Sequence, residues 1–195
     1  MKQKKAIVSV INDLVTDQRV DRACRALLKC GYEVTLVGRV LAQSLPMMEK
    51  PYSTHRMRLL FTQGPAFYLE YQIRLFFFLL FRKSSLLYAN DLDTLLPNYL
   101  ISKIKRSPII YDSHELFCEV PELLAHPRKR KTWKRLERWI FPKLDTVITV
   151  NQSIANIYGH EYKKKVNVVR NIPLLRPVTV SLSKEELGLP LDKKI

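Results

Sequence analysis

Glycine is scarce in this chain: five in 195 residues, and none between Asn12 and Arg19, where a first apolar run gives way to a helical pattern. That absence removes both the dinucleotide fingerprint and the phosphate-cradling P-loop, which need glycine for close backbone approach. Cysteine is scarce as well. Cys24, Cys30 and Cys118 form an odd set without metal-ligand spacing, so Cys24 and Cys30 are expected to be small core residues in a reducing cytosol. The four histidines are scattered and make no zinc site. No Gly-x-Ser-x-Gly elbow is present. The longest uninterrupted apolar run is 75–81, between Arg74 and Arg82, far short of the roughly 20 residues that cross a bilayer. No secretory leader is visible at the start, so Asn151-Gln152-Ser153 is taken as a chance glycosylation pattern. Acidic residues are outnumbered, 18 against 33 basic ones, for a net charge of +15. Such a balance suits a polyanionic partner, nucleic acid or an acidic membrane surface; the alternative is a soluble domain that is merely basic. No helix-turn-helix, aromatic RNP pattern or zinc finger supports nucleic acid.

What the chain does have is a repeated transition. Residues 6–11 are apolar but for Ser9 and run into Asn12-Asp13, 86–88 into Asn90-Asp91, 147–150 (apolar but for Thr149) into Asn151, and 108–111 into Asp112-Ser113-His114-Glu115. Buried parallel strands read this way when they end at a crevice. In open α/β sheets the carboxyl ends of strands are where ligands bind. Thr16 or Asp17 caps a helix carrying Val20, Ala23, Cys24, Leu27 and Leu28 on one face, and Gly31 ends it. With a strand at 32–38 this makes a β-α-β unit and hence parallel pairing. Further strands are predicted at 55–61, 86–88, 108–111, 146–150 and 166–169, and helices at 67–82, 94–105, 127–141 and 153–162. The fold class is therefore α/β: a doubly wound, mostly parallel Rossmann-like sheet with helices on both faces. Residues 1–172 form this domain. Residues 173–195, with Pro173, Pro177 and a Ser183/Glu186 capping box, read as a linker and the start of another domain.

The candidate site residues follow from the strand ends. His114 either donates a hydrogen bond to substrate or ties down a loop, and Glu115 lies beside it. Asp112 is read as a structural cap. Ser113, His114 and Glu115 cannot form a hydrolase triad, because sequence neighbours project in different directions. Asn12, Asp13 and Asn151 line neighbouring strand ends. Arg19 lies in a helix's first turn, where an anion is favoured; it touches either a ligand or solvent. Asp91 and Asp93 either chelate a divalent ion or, for Asp93, cap the next helix; no metal is expected. The segment 128–141 is a basic amphipathic helix. Lys131, Lys134, Arg135 and Arg138 lie on one stripe, with Trp133, Leu136 and Ile140 on another. It either meets an anionic membrane interface or packs its apolar stripe on the sheet with a solvated basic face.

On these residues the chain resembles the N-terminal half of a GT-B fold retaining glycosyltransferase of family GT4. The likeness is carried by Asp17-Gln18-Arg19-Val20 before Gly31-Tyr32-Glu33-Val34, by Asn90-Asp91-Leu92-Asp93-Thr94-Leu95-Leu96-Pro97, and by Tyr111-Asp112-Ser113-His114-Glu115-Leu116 with Glu119 and Pro121-Glu122-Leu123. Val150-Asn151 and Val169-Arg170-Asn171-Ile172-Pro173 complete it. The resemblance implies an acceptor-side domain facing a nucleotide-sugar-binding domain, with His114 as the cleft histidine that hydrogen-bonds the donor sugar. It implies metal-independent front-face transfer with retained configuration, and no cofactor beyond the nucleotide-sugar substrate. A nucleotide-sugar, a glycan acceptor and the missing C-terminal domain are the implied partners. The basic helix at 128–141 adds a lipid-linked acceptor and an anionic membrane surface to these expectations, and the expected location is cytoplasmic, peripheral on the inner membrane face. The glycines many members place after the first strand are missing, and on this resemblance the chain alone is half an enzyme. The rival is a stand-alone basic membrane- or nucleic-acid-binding module.

Overall fold

The computed structural model describes residues 3–172, 183–190 and 192; most of the predicted linker, 173–182, lies outside them. Seven strands form one sheet: β1 Lys4–Asp13, β2 Tyr32–Val40, β3 Ser53–Arg58, β4 Leu86–Asn90, β5 Ile109–Ser113, β6 Thr146–Thr149 and β7 Asn167–Val168. Their order is β3-β2-β1-β4-β5-β6-β7, and every pairing is parallel. The helices are α1 Gln18–Lys29, α2 Gly64–Phe81, α3 Leu92–Lys105, α4 Pro121–Leu124, α5 Pro127–Ile140 and α6 Gln152–Tyr162. The chain reverses its winding between β1 and β4, which opens a crevice at the carboxyl ends of those strands.

The central strands are apolar on both faces because helices cover both. Ala6, Val8 and Val10 of β1 pack with Val34, Leu36, Leu86 and Tyr88 beneath Val20, Cys24 and Leu27 of α1. The alternate residues Ile7 and Ile11 join Leu87, Ala89, Tyr111 and Val147 beneath α2, α3, α5 and α6. Strand periodicity thus splits one sequence run between two cores.

Local chemistry sets the boundaries. Asp17 accepts from Val20 N at 3.0 Å and caps α1, and Gly31, at φ +80°, turns the chain away from it. Helix α3 begins at Leu92, two residues before the sequence expectation, and holds Pro97 inside it. A proline there cannot donate to the carbonyl four residues back. Gln72 Nε2 from α2 donates to that carbonyl, Asp93 O, at 2.5 Å instead, so the missing backbone bond is replaced by a tertiary one. Strand β3 starts and ends earlier than expected, and Cys24 is buried while Cys30 is exposed. Cys30 is the C-cap residue of α1, where the helix lifts off its core. The expected capping box is present: Ser183 N donates to Glu186 Oε2 at 2.7 Å and Glu186 N to Ser183 Oγ at 3.3 Å. It closes turns rather than a helix. No helix among the described residues is long and apolar enough to cross a membrane.

Candidate active site

The end of β5 carries Asp112, which is almost wholly buried. It is not a cap. Arg19 Nε donates to Oδ2 at 3.1 Å, Arg19 Nη2 to Oδ1 at 2.5 Å, and Tyr88 OH to Oδ2 at 2.7 Å. The anion that Arg19 holds is therefore this chain's own carboxylate, in a fork geometry that fixes both groups. Its third donor, Nη1, reaches Val169 O at 2.7 Å, and Arg22 one turn on contacts Asn171 and Ile172. Helix α1 thereby grips the segment that leaves the sheet after β7.

His114 follows one residue past β5. Its backbone N donates to Asp91 Oδ1 at 2.8 Å, its Nδ1 lies 3.2 Å from Asp91 Oδ2, and its Nε2 lies 3.6 Å from Asp112 Oδ2. The last distance is an ion pair rather than a hydrogen bond, and Nε2 is without a hydrogen-bond partner among the described residues. Burial alone would lower the imidazole's pKa; the carboxylates of Asp112 and Asp91 outweigh it and raise it above the ordinary histidine value. Burial would likewise raise Asp112, but the charges of His114 and Arg19 hold it below the usual carboxylate range.

Asp91 takes φ 58° at the join between β4 and α3, a left-handed conformation uncommon for non-glycine residues. That turn aims its carboxylate at His114, and local strain of this kind persists where surrounding contacts over-determine it. Burial pushes the Asp91 carboxyl up to about 6 although His114 pulls it down. Asp93, in the first turn of α3, is buried; desolvation with Asp91 beside it holds its carboxyl well above the usual range. Among the described residues no group of three or more His, Cys, Asp or Glu side chains could hold a metal ion.

Four of the sequence candidates thus meet: Arg19, Asp112, His114 and Asp91, with Asp93 adjoining. Glu115 is exposed beside them, and its carbonyl accepts from Ser113 Oγ at 2.7 Å. Asp13 is engaged elsewhere, with Arg56 Nη2 at 3.1 Å, and Asn12 is exposed on the neighbouring rim. Asn151 caps α6 by accepting from Ile154 N at 2.9 Å. Tyr88 was missed from sequence because it lies inside an apolar strand; a phenol there signals a hydroxyl in need of a buried partner.

The basic residues of α5 lie apart from this cluster. Lys131 and Arg135 are exposed, but Lys134 bridges Glu137 at 2.6 Å and Glu161 at 2.8 Å, and Arg138 lies 3.7 Å from Glu161. Ile140 is buried, with Trp133 and Leu136 packed against the same core. The apolar stripe of α5 faces the protein, which leaves Lys131 and Arg135 as the cations of the predicted set without an ion-pair partner among the described residues.

Similar proteins agree with this architecture. Among curated proteins, none matches the chain by sequence. Among solved structures, sucrose-phosphate synthase from Thermosynechococcus elongatus superposes with a TM-score of 0.66 at 16% identity, over 97% of this chain and 53% of that one. An Os79 variant from O. sativa in complex with UDP gives 0.57 at 11% identity, over 84% of this chain and 51% of that one. The chain thus spans about half the length of these structures, and its fold is that of the N-terminal domain of a GT-B glycosyltransferase. The family model for Glycosyltransferase Family 4 matches residues 17–172, most of the chain, and the chain belongs to that family.

Proposed function

We propose that this chain is the acceptor-side domain of a retaining glycosyltransferase. It moves a sugar from a nucleotide-sugar to a lipid-linked or polysaccharide acceptor, in the building of a cell-surface polysaccharide. The observation that carries this is the fixing of His114 between Asp91 and Asp112 at the crevice end of β4 and β5. Two carboxylates raise the ring's pKa above the ordinary histidine value, and a third residue, Arg19, fixes one of those carboxylates. A donor held in place before the substrate arrives stabilises charge that develops in the transition state without reorganising. Its Nε2 is buried beside Asp112 without a hydrogen-bond partner among the described residues, and the 21% of the side chain that stays exposed is the edge that a sugar hydroxyl or departing phosphate oxygen would meet.

In the proposed reaction the bond between the anomeric carbon and the nucleotide's phosphate oxygen breaks. The acceptor hydroxyl bonds to that carbon on the same face, and its proton passes to the departing phosphate. No metal or bound cofactor takes part. Residues 1–172 supply the acceptor side, and the donor side comes from a second domain beyond the linker. The work takes place at the cytoplasmic face of a membrane, where a lipid-linked acceptor is presented to a strongly basic protein.

The test is His114→Ala in a protein that includes the donor-binding half, with melting temperature and kcat measured on one preparation. Loss of one such donor costs about 10²–10³ in rate, and that fall with a small change in melting temperature is the expected result. A near-normal kcat would overturn the assignment of His114. Turnover of a nucleotide-sugar by residues 1–195 alone, above a heat-killed control, would overturn the division of labour.

A further inference from the structure

Helix α2 is apolar on both sides. Phe67, Tyr71, Leu75 and Leu79 are buried, yet Leu69, Ile73, Phe77 and Phe81, every fourth residue on the outer side, are 63%, 48%, 50% and 80% exposed. At 1.5 Å per residue the helix is about 27 Å long, and the stripe follows most of it. Leu60 and Phe61 extend it at the N-terminal end, held there because their backbone N–H groups donate to the Glu70 carboxylate at 2.9 Å. The rings of Phe77 and Phe81 stack, with centroids 6.3 Å apart. Single exposed apolar residues need no explanation, but a contiguous stripe marks a surface that meets something.

Charge selects the occupant. Between Lys50 and Asn90 the cations are Lys50, Arg56, Arg58, Arg74, Arg82 and Lys83, against one acid, Glu70. Glu70 is already engaged by Arg74 at 2.8 Å and by the two backbone donors. Arg58, Arg82 and Lys83 are exposed around the stripe. A second copy would bring the same unbalanced cations to the seam. An anionic bilayer surface satisfies both parts, the acyl boundary taking the apolar face and the headgroup phosphates the basic rim.

We propose that α2 lies on an anionic lipid surface, with Leu69, Ile73, Phe77 and Phe81 in the headgroup–acyl boundary and Arg58, Arg82 and Lys83 on headgroup phosphates. This names the surface behind the membrane part of the proposed function and rests on it. It assigns the anchor to α2 in place of α5, whose apolar stripe is packed inward.

The probe is vesicles of phosphatidylglycerol or of phosphatidylcholine, co-sedimented with the 195-residue chain and with a Leu69→Ser, Ile73→Ser, Phe77→Ser, Phe81→Ser variant. The chain is expected to sediment with phosphatidylglycerol only, more weakly as salt rises. The variant should lose at least tenfold in partitioning while its melting temperature stays within a few degrees, since the replaced side chains face outward. A Lys131→Glu, Arg135→Glu variant should retain most of the binding. Equal binding by the serine variant, absence of binding by the parent chain, or a parent dimer that the serine variant converts to monomer would each overturn the proposal. None of these measurements involves sugar transfer, so an inactive transferase leaves the result standing.

Discussion

Arg19 and Asp112 stand 93 positions apart in sequence and close a two-bond fork on each other, at 3.1 and 2.5 Å, with both side chains buried. The pair ties the first turn of α1 to the end of β5. Through Asp112 it fixes one of the two carboxylates that flank the His114 ring, and through Val169 O it holds the start of the exit segment. One guanidinium therefore joins the candidate catalytic residue to the route toward any following domain.

Removing one member of such a pair leaves a buried charge uncompensated. Arg19→Ala should lower unfolding free energy by about 3–5 kcal/mol, measured by urea denaturation. Arg19→Lys should fall between, because an ammonium cannot span both oxygens. A loss below about 1 kcal/mol for the alanine variant would show that the fork does not persist in solution.

The pH dependence has a defined sign. The His114 pKa is raised above 6.5 in the folded state, so its contribution to stability is full below that value and is lost as pH climbs through the folded pKa. Asp112, depressed below 3.8, contributes above that value and loses its contribution as pH falls. Asp91 acts in the opposite direction: raised to about 6 from 3.8, it favours folding less as pH rises between them. An NMR titration of the His114 ring should give a midpoint above 6.5 that moves down in Asp112→Asn. An unmoved midpoint in that variant would remove Asp112 as the source of the shift.

Gly38 answers to space rather than to backbone freedom. A Cβ there would meet Leu14 Cδ2, and would lie 2.7 Å from Asn12 O and 3.0 Å from Val10 O. Two of these are backbone atoms beside the register shift of β1 against β2. Gly38→Ala should cost about 1–3 kcal/mol and displace the Asn12-Asp13 end of β1. Thermal melting indistinguishable from the parent would show that the strand end yields freely.

Lys134 tests what α5 is for. Glu137 is buried, with Lys134 and Tyr162 as its partners, so Lys134→Ala leaves a half-satisfied carboxylate and should cost about 1–3 kcal/mol. Lys131→Ala, on the exposed face, should stay within about 0.5 kcal/mol. Equal stability of the two variants would show that the Lys134 network contributes nothing to the fold.

Much of the fold was legible because its causes are local. Asp17, Gly31 and Asn151 act on N–H groups or dihedrals within a few residues, and apolar runs that break into polar ones announce strands ending at a crevice. Boundaries slipped where a tertiary contact substitutes for a local one. Gln72 reaching Asp93 O is what lets α3 hold Pro97 and start at Leu92.

The sequence by itself determined the β/α alternation, the parallel sheet it entails, and the strand ends where His114 and its neighbours gather. These depend on periodicity and on caps, which are properties of short stretches of chain. Tertiary structure alone decided what each charged or apolar side chain faces. Arg19 turned to Asp112 because β1 and β5 flank β4 and bring α1 over the end of β5. The one apolar stripe of α5 turned inward, while α2, apolar all round, was left with a stripe outward because it can bury only the side that meets the protein. Burial and pairing depend on residues far apart in sequence, and their partners exist only once the sheet order is set.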